Sequence, residues 1–132
     1  MRAISLKPPW PYAIFCLGKT VENRSENFLK YETIVPCPLV IHASKTWDQR
    51  GYEFLKTMDE YVPSKERHVF GALQGTVNFV DLVTSSDELE VEQRRWFFGD
   101  VGLVFENAKE FKKPIPWRGQ LGIFYVPDNR IR

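Results

Sequence analysis

The sequence predicts an α+β domain in which five to six strands form a small barrel flanked by two or three short helices. Three observations carry that reading. Two stretches repeat apolar residues at helical spacing, most strand-like runs lie in the second half of the chain, and the run Ala72–Val83 changes phase partway. Leu73, Val77 and Phe79 alternate on one phase and Val80 and Leu82 on the other. Such a slip predicts a bulge that bends a strand around a barrel corner.

The elements follow in order. Residues 3–6 read as a short strand stopped by Pro8 and Pro9. Trp10, Ala13, Ile14 and Leu17 then recur at helical spacing. Pro11 is tolerated there because its missing N–H falls in the first turn. Gly18 suits a left-handed exit from that helix, and Thr20 and Val21 favour extended backbone through Arg24. Residues 25–38 are polar and irregular and predict a loop. Leu39, Val40 and Ile41 form a brief apolar run bounded by proline, the pattern of a buried strand.

A second helix is predicted from Thr46, as its cap, to a stop at Pro63, with Trp47, Phe54, Leu55 and Met58 on one side. Asp48 in its first turn suits the helix dipole. A polar loop near residues 64–68 precedes the long bulged strand. Ser85 with Glu88 three residues on is the pattern of a capping box. Two more strands are expected near residues 101–106 and 121–126.

At 132 residues the chain fits one domain over residues 1–132. Hydrophobic residues make up 43% and charged residues 27%, a balance that excludes intrinsic disorder. The formal net charge is only +1, with basic residues scattered along the chain. Proteins that grip long duplexes show a strongly basic face, so bulk charge argues against a sequence-blind polynucleotide binder. A cleft that takes one nucleotide or a short single strand is compatible with it.

Cys16 and Cys37 lack metal or redox spacing and read as reduced thiols. With no membrane-length apolar run and no signal-like N-terminus, a soluble cytoplasmic protein is expected. His42 and His68 are the only histidines. With no H-E-x-x-H, C-x-x-C or calcium-loop spacing, no metal is expected. No P-loop, dinucleotide fingerprint or serine-hydrolase elbow occurs, so no cofactor is expected either.

Four stretches in order resemble the ASCH family (activating signal cointegrator homology). They are Pro9-Trp10-Pro11; the segment from Gly18 to Arg24 with Gly18, Lys19, Glu22 and Arg24 as its signature positions; Leu39-Val40-Ile41-His42-Ala43-Ser44; and the closing stretch from Lys113 through Trp117, Arg118 and Gly119 to Gly122. The resemblance spans nearly the whole chain and implies a PUA-like β-barrel with a cleft beside the first helix, a location associated with RNA. It also implies a range of roles: RNA binding, coactivator-associated modules, and small amidohydrolases acting on N4-acetylcytidine.

Lys19 and Glu22 are the candidate catalytic pair. Residues three apart on extended backbone face opposite ways, so a turn must bring them together. Converged and buried, the carboxylate orients the ammonium and burial lowers the lysine pKa, which fits a proton carrier. At the surface the same pair is an ion pair of little consequence. Arg24 shares the face of Glu22 and either forks onto a phosphate or braces the turn.

In the deacetylating members of the family, the position matching Glu22 holds a threonine proposed as nucleophile. This chain departs there, and Thr20 projects elsewhere by strand alternation. Glu22 as general base on a water is a different mechanism. Trp10 is open to two readings, a base-stacking platform and a packed core residue. His42, Ser44 and Lys45 lie where a strand ends and a helix begins. Such a place suits a phosphate, although Ser44 or Thr46 as helix cap and His42 as barrel filler is the simpler reading.

The sequence therefore predicts an ASCH domain protein binding RNA or a modified nucleobase or nucleoside. Its cleft would be formed by the first helix, the Lys19 to Arg24 segment and the His42 to Lys45 strand end. Two alternatives stand beside it. One is a hydrolase, N4-acetylcytidine amidohydrolase-like or a ribonuclease, using Lys19 and Glu22. The other is a protein-interaction module of coactivator type. Oligomeric state is left open.

Overall fold

The computed structural model describes residues 1–58 and 61–131. Six strands form one curled sheet: β1 (Arg2–Leu6), β2 (Val21–Arg24), β3 (Cys37–Ala43), β4 (Ala72–Val83), β5 (Val101–Pro116) and β6 (Ile123–Tyr125). Their order is β2-β5-β4-β3-β1-β6, and the sheet curls into a half-closed barrel. β1 and β3 run parallel, whereas the other neighbours are antiparallel. The parallel pair needs a crossover, and the chain uses that crossover to carry α1 (Trp10–Cys16), β2 and a 3₁₀ segment, Glu26–Ile34. The putting-in of α1 there places it beside the start of β2, which positions the candidate site.

β4 is the expected long strand, and its pairing with β5 shifts register between Leu73 and Gly75, between Thr76 and Asn78, and between Phe79 and Asp81. The predicted bulge is therefore several irregularities, which together turn the sheet. β5 extends well past the expected end at Glu106. Its second half is largely exposed, so it shows no apolar alternation, and Asn107 at φ 58 resets the phase in mid-strand. Asparagine tolerates that left-handed conformation better than most side chains.

The expected loop over residues 25–38 is in part the 3₁₀ segment, with Phe28 buried, and its last two residues already belong to β3. α2 spans Gln49–Lys56. Its cap is Asp48 rather than Thr46 or Ser44, because the Asp48 carboxylate accepts from the Gly51 N–H. The Ser85–Glu88 capping box is present on a short 3₁₀ turn, Ser86–Glu88.

The core lies inside the curl. Ile4, Leu39, Ile41, Phe79, Leu103 and Phe105 fill it from four strands. A second cluster under α1 and α2 joins Ala13, Val21, Leu55, Val83 and Trp96. Cys16 and Cys37 are free thiols. No helix among the described residues is long and apolar enough to cross a membrane.

Candidate nucleoside cleft

The site begins at the end of α1. Gly18 has φ +73, a left-handed turn that a side chain would strain. The turn folds the chain back so that the Lys19 N–H bonds the Ala13 carbonyl at 3.1 Å. Lys19 thus lies in the turn and not on β2, which resolves the facing problem of residues three apart. Its side chain is buried, donating to the Val21 carbonyl and to Glu22 Oε1, the latter at 3.3 Å. Glu22 Oε2 accepts from Arg24 Nε at 3.0 Å, and Arg24 Nη2 donates to the Ser5 carbonyl at 2.8 Å. Lys19, Glu22 and Arg24 form one chain of charge-assisted hydrogen bonds from the α1 turn to β1.

Burial pushes the Lys19 ammonium below its ordinary value, while Glu22 beside it works in the opposite direction. The ammonium sits 5.2 Å from the Trp10 ring centroid. Trp10 is half-buried; its Nε1 donates to Asp48 Oδ2 at 2.8 Å, and Phe98 lies with its ring 6.0 Å away. Asn23 also lines the cleft and holds the Phe98 segment in place. Its Oδ1 accepts from the N–H groups of Phe98 and Gly99 at 2.8 and 3.0 Å, and its Nδ2 donates to the Trp96 carbonyl.

These residues line a cleft of about 650 Å³, together with Ser5, Lys7, Ser25, Asp48 and Asp100. A space of that size suits a small organic ligand. Its charges are mixed, with Lys7, Lys19 and Arg24 facing Glu22, Asp48 and Asp100.

His42, Ser44 and Lys45 line a second, larger groove of about 1120 Å³ and not the first. The two grooves meet at Ser5, Lys7 and Arg24, which line both. His42 is buried with both ring nitrogens engaged. Nε2 meets the Trp117 carbonyl at 2.8 Å and Nδ1 meets Ser5 Oγ at 2.6 Å. A carbonyl only accepts, so Nε2 carries the proton and Nδ1 receives the serine hydroxyl. Burial lowers the His42 pKa and favours this neutral form. Ser44 bonds the Thr46 backbone locally, and Lys45 is exposed.

Of the sequence-predicted residues, Trp10, Lys19, Glu22 and Arg24 come together around one cleft, and His42, Ser44 and Lys45 line its neighbour. Sequence reasoning missed Ser5, Lys7, Asn23, Asp48 and Phe98 as cleft residues. Asn23 lies inside the signature segment and Asp48 beside a predicted cap, which were usable signals. Phe98 carried none. Among the described residues no group of three or more histidine, cysteine or acidic residues clusters as a metal site.

The fold and cleft define a class: a PUA-like α+β half-barrel with its cleft beside the first helix. No family model and no curated protein matches the chain. Among solved structures it is similar to ASCH from Zymomonas mobilis, at a TM-score of 0.54 and 15% identity, covering 98% of this chain and 89% of that one. Serine-to-alanine and tyrosine-to-phenylalanine variants of the same protein match at TM-score 0.53 and 16% identity, again over 98% of this chain. The fold is that of an ASCH domain, as the four sequence stretches implied.

Proposed function

We propose that this protein binds an unpaired RNA base or a modified nucleobase in the cleft lined by Trp10 and Phe98. The observation that carries the reading is the buried Lys19–Glu22–Arg24 chain set beside aromatic side chains in a space of about 650 Å³. A nucleobase presents flat apolar faces and a rim of donors and acceptors. The aromatic rings suit the faces, and the Lys19 ammonium, Glu22 carboxylate and Asp48 carboxylate suit the rim. Mixed charge in the cleft also fits a neutral base better than an isolated phosphate.

A hydrolytic role for the same cleft rests on one observation: Lys19 is buried with its pKa lowered, the direction that readies a lysine for proton transfer. Here too the ligand is a modified nucleoside or RNA.

The test is a panel of single-stranded RNA, single-stranded DNA and N4-acylated nucleosides, with binding and turnover measured together. Phe98 is 57% exposed, so Phe98→Ala leaves the fold intact. Stacking on an aromatic ring contributes about 1–3 kcal/mol per base, so this variant should bind roughly 5- to 150-fold more weakly. Equal affinity of wild type and Phe98→Ala for every member of the panel would overturn the reading. Turnover of an acylated nucleoside that disappears in Lys19→Ala would make the protein a hydrolase.

A further inference from the structure

The second groove differs from the first in charge. Lys7, Arg24, Lys45 and Arg118 line it, and no carboxylate does so among its described lining residues. Ion pairs among the described residues join Met1 to Asp128, Lys19 to Glu22 and Arg24 to Glu22. Among the described residues Lys45 and Arg118 make no ion pair, and neither does Lys7, which also borders the first cleft, in a chain whose net charge is only +1. Cations around one concavity repel one another, and an anion in the groove relieves that repulsion.

The groove is also built rather than incidental. Its far wall, which begins at Trp117, is tied to the strand ends twice, by His42 Nε2 to the Trp117 carbonyl at 2.8 Å and by the Trp117 N–H to the Gly71 carbonyl at 3.1 Å. The Lys45 stem packs on Gly71 so closely that a β-carbon there would come within 3.0 Å of Lys45 Cε. Lys45 and Arg118 thus both line the groove beside anchored backbone.

We propose that this groove is a phosphate subsite and that the ligand is a single-stranded, phosphodiester-linked chain crossing the Ser5–Lys7–Arg24 ridge. One base occupies the Trp10–Phe98 cleft, and the adjoining backbone phosphates lie along Lys7, Arg24, Lys45 and Arg118. This rests on the base-binding reading of the first cleft and extends it from a nucleobase to an oligonucleotide. Free nucleosides fill half of the site.

The experiment compares a free nucleoside with a single-stranded RNA octamer and a DNA octamer, from 50 to 300 mM salt, on wild type and on Lys45→Ala/Arg118→Ala. Both substituted residues are exposed, so the variant folds. The wild type should favour octamer over nucleoside, and the double variant should cut that preference by at least tenfold. Each lost phosphate contact lowers the slope of log affinity against log salt by about 0.7, so the octamer slope should fall by about 1.4. RNA and DNA octamers share the phosphate contacts, so the loss should appear for whichever of them binds.

An octamer-to-nucleoside ratio and salt slope unchanged by the double variant would overturn the subsite while leaving the base cleft standing. A wild type that binds octamers in a salt-dependent way, with no change in Phe98→Ala, would retain the groove and overturn the base cleft, and with it the continuous ligand. Equal wild-type affinity for nucleoside and octamer would also overturn the proposal.

Discussion

Replacing Glu22 by alanine should destabilise this protein strongly at neutral pH and much less at alkaline pH. Glu22 holds two cations, Lys19 Nζ at 3.3 Å and Arg24 Nε at 3.0 Å. Arg24 has a side chain 22% exposed and reaches water when released, whereas the Lys19 side chain is 1% exposed and does not. Removing one partner of a buried pair costs about 3–5 kcal/mol, because the other charge stays behind uncompensated. Unfolding entropy of about 2.1 cal/mol/K per residue makes 3 kcal/mol a fall in Tm of about 11 °C for a chain of this length.

The stranded lysine has one escape, which is to lose its proton. That escape costs at most about 1.36 kcal/mol for each pH unit between the solution and the ordinary lysine value of 10.5. The ceiling is about 5 kcal/mol at pH 7 and about 1.4 kcal/mol at pH 9.5. The sign follows from linkage: with its folded pKa lowered, Lys19 binds its proton more weakly in the native state than in the unfolded chain. Native stability then rises as pH climbs toward 10.5.

Urea unfolding of wild type and Glu22→Ala at pH 7 and pH 9.5 reads the difference directly. The destabilisation should be about 3 kcal/mol or more at pH 7 and should shrink to about half or less at pH 9.5. Lys19→Met with Glu22→Leu removes both charges and should lie within about 1 kcal/mol of wild type or above it. A Glu22→Ala penalty that is the same at both pH values would refute the argument that Lys19 is the source of the cost.

Three further outcomes follow from the same geometry. His42 is neutral and its pKa is depressed by burial, so its share of stability is complete above the ordinary value of 6.5 and is lost as pH falls below it. Thermal melts should show that acid-side decline in wild type and a flatter one in His42→Gln. Asp48→Ala removes the α2 cap to Gly51 and the acceptor of Trp10 Nε1 together, costing about 2 kcal/mol in urea unfolding, and Asp48→Asn, which keeps one acceptor oxygen and sets an NH2 against the other donor, should recover no more than about half of it. Gly51→Ala places a β-carbon 2.7 Å from Trp10 Cζ2, so the indole must move; tryptophan emission should shift and base affinity fall even though alanine favours the helix.

Much of the fold was legible in the sequence because buried strands and helices advertise themselves by periodicity. The run Leu39 to Ile41, the stripe of Trp10, Ala13 and Ile14, and the phase slip after Phe79 each encode contact with one core. The second half of β5 was not legible, since its side chains from Glu106 to Glu110 face solvent and impose no alternation. Its pairing with β4 is held by backbone hydrogen bonds, which leave no mark on residue type. The α2 cap was misplaced by two residues because Ser44, Thr46 and Asp48 are all good caps. What selects Asp48 is a second duty: its other oxygen holds Trp10, a contact 38 residues back in the chain.

The site divides along the same line. Lys19, Glu22 and Arg24 were visible together because a single turn at Gly18 brings them together, and local geometry is written locally. Phe98 reaches the cleft only because Asn23 holds its N–H from 75 residues away, so no spacing rule marks it. The division into two grooves is likewise a property of the sheet: parallel pairing of β1 with β3 sets Ser5 opposite His42. Their hydrogen bond and the Arg24–Ser5 contact form the ridge between a cleft of mixed charge and a groove of positive charge. A groove lined by Lys7, Arg24, Lys45 and Arg118 thus adjoins a cleft that also holds Glu22, Asp48 and Asp100, and the proposed base joined to its phosphate rests on that contrast.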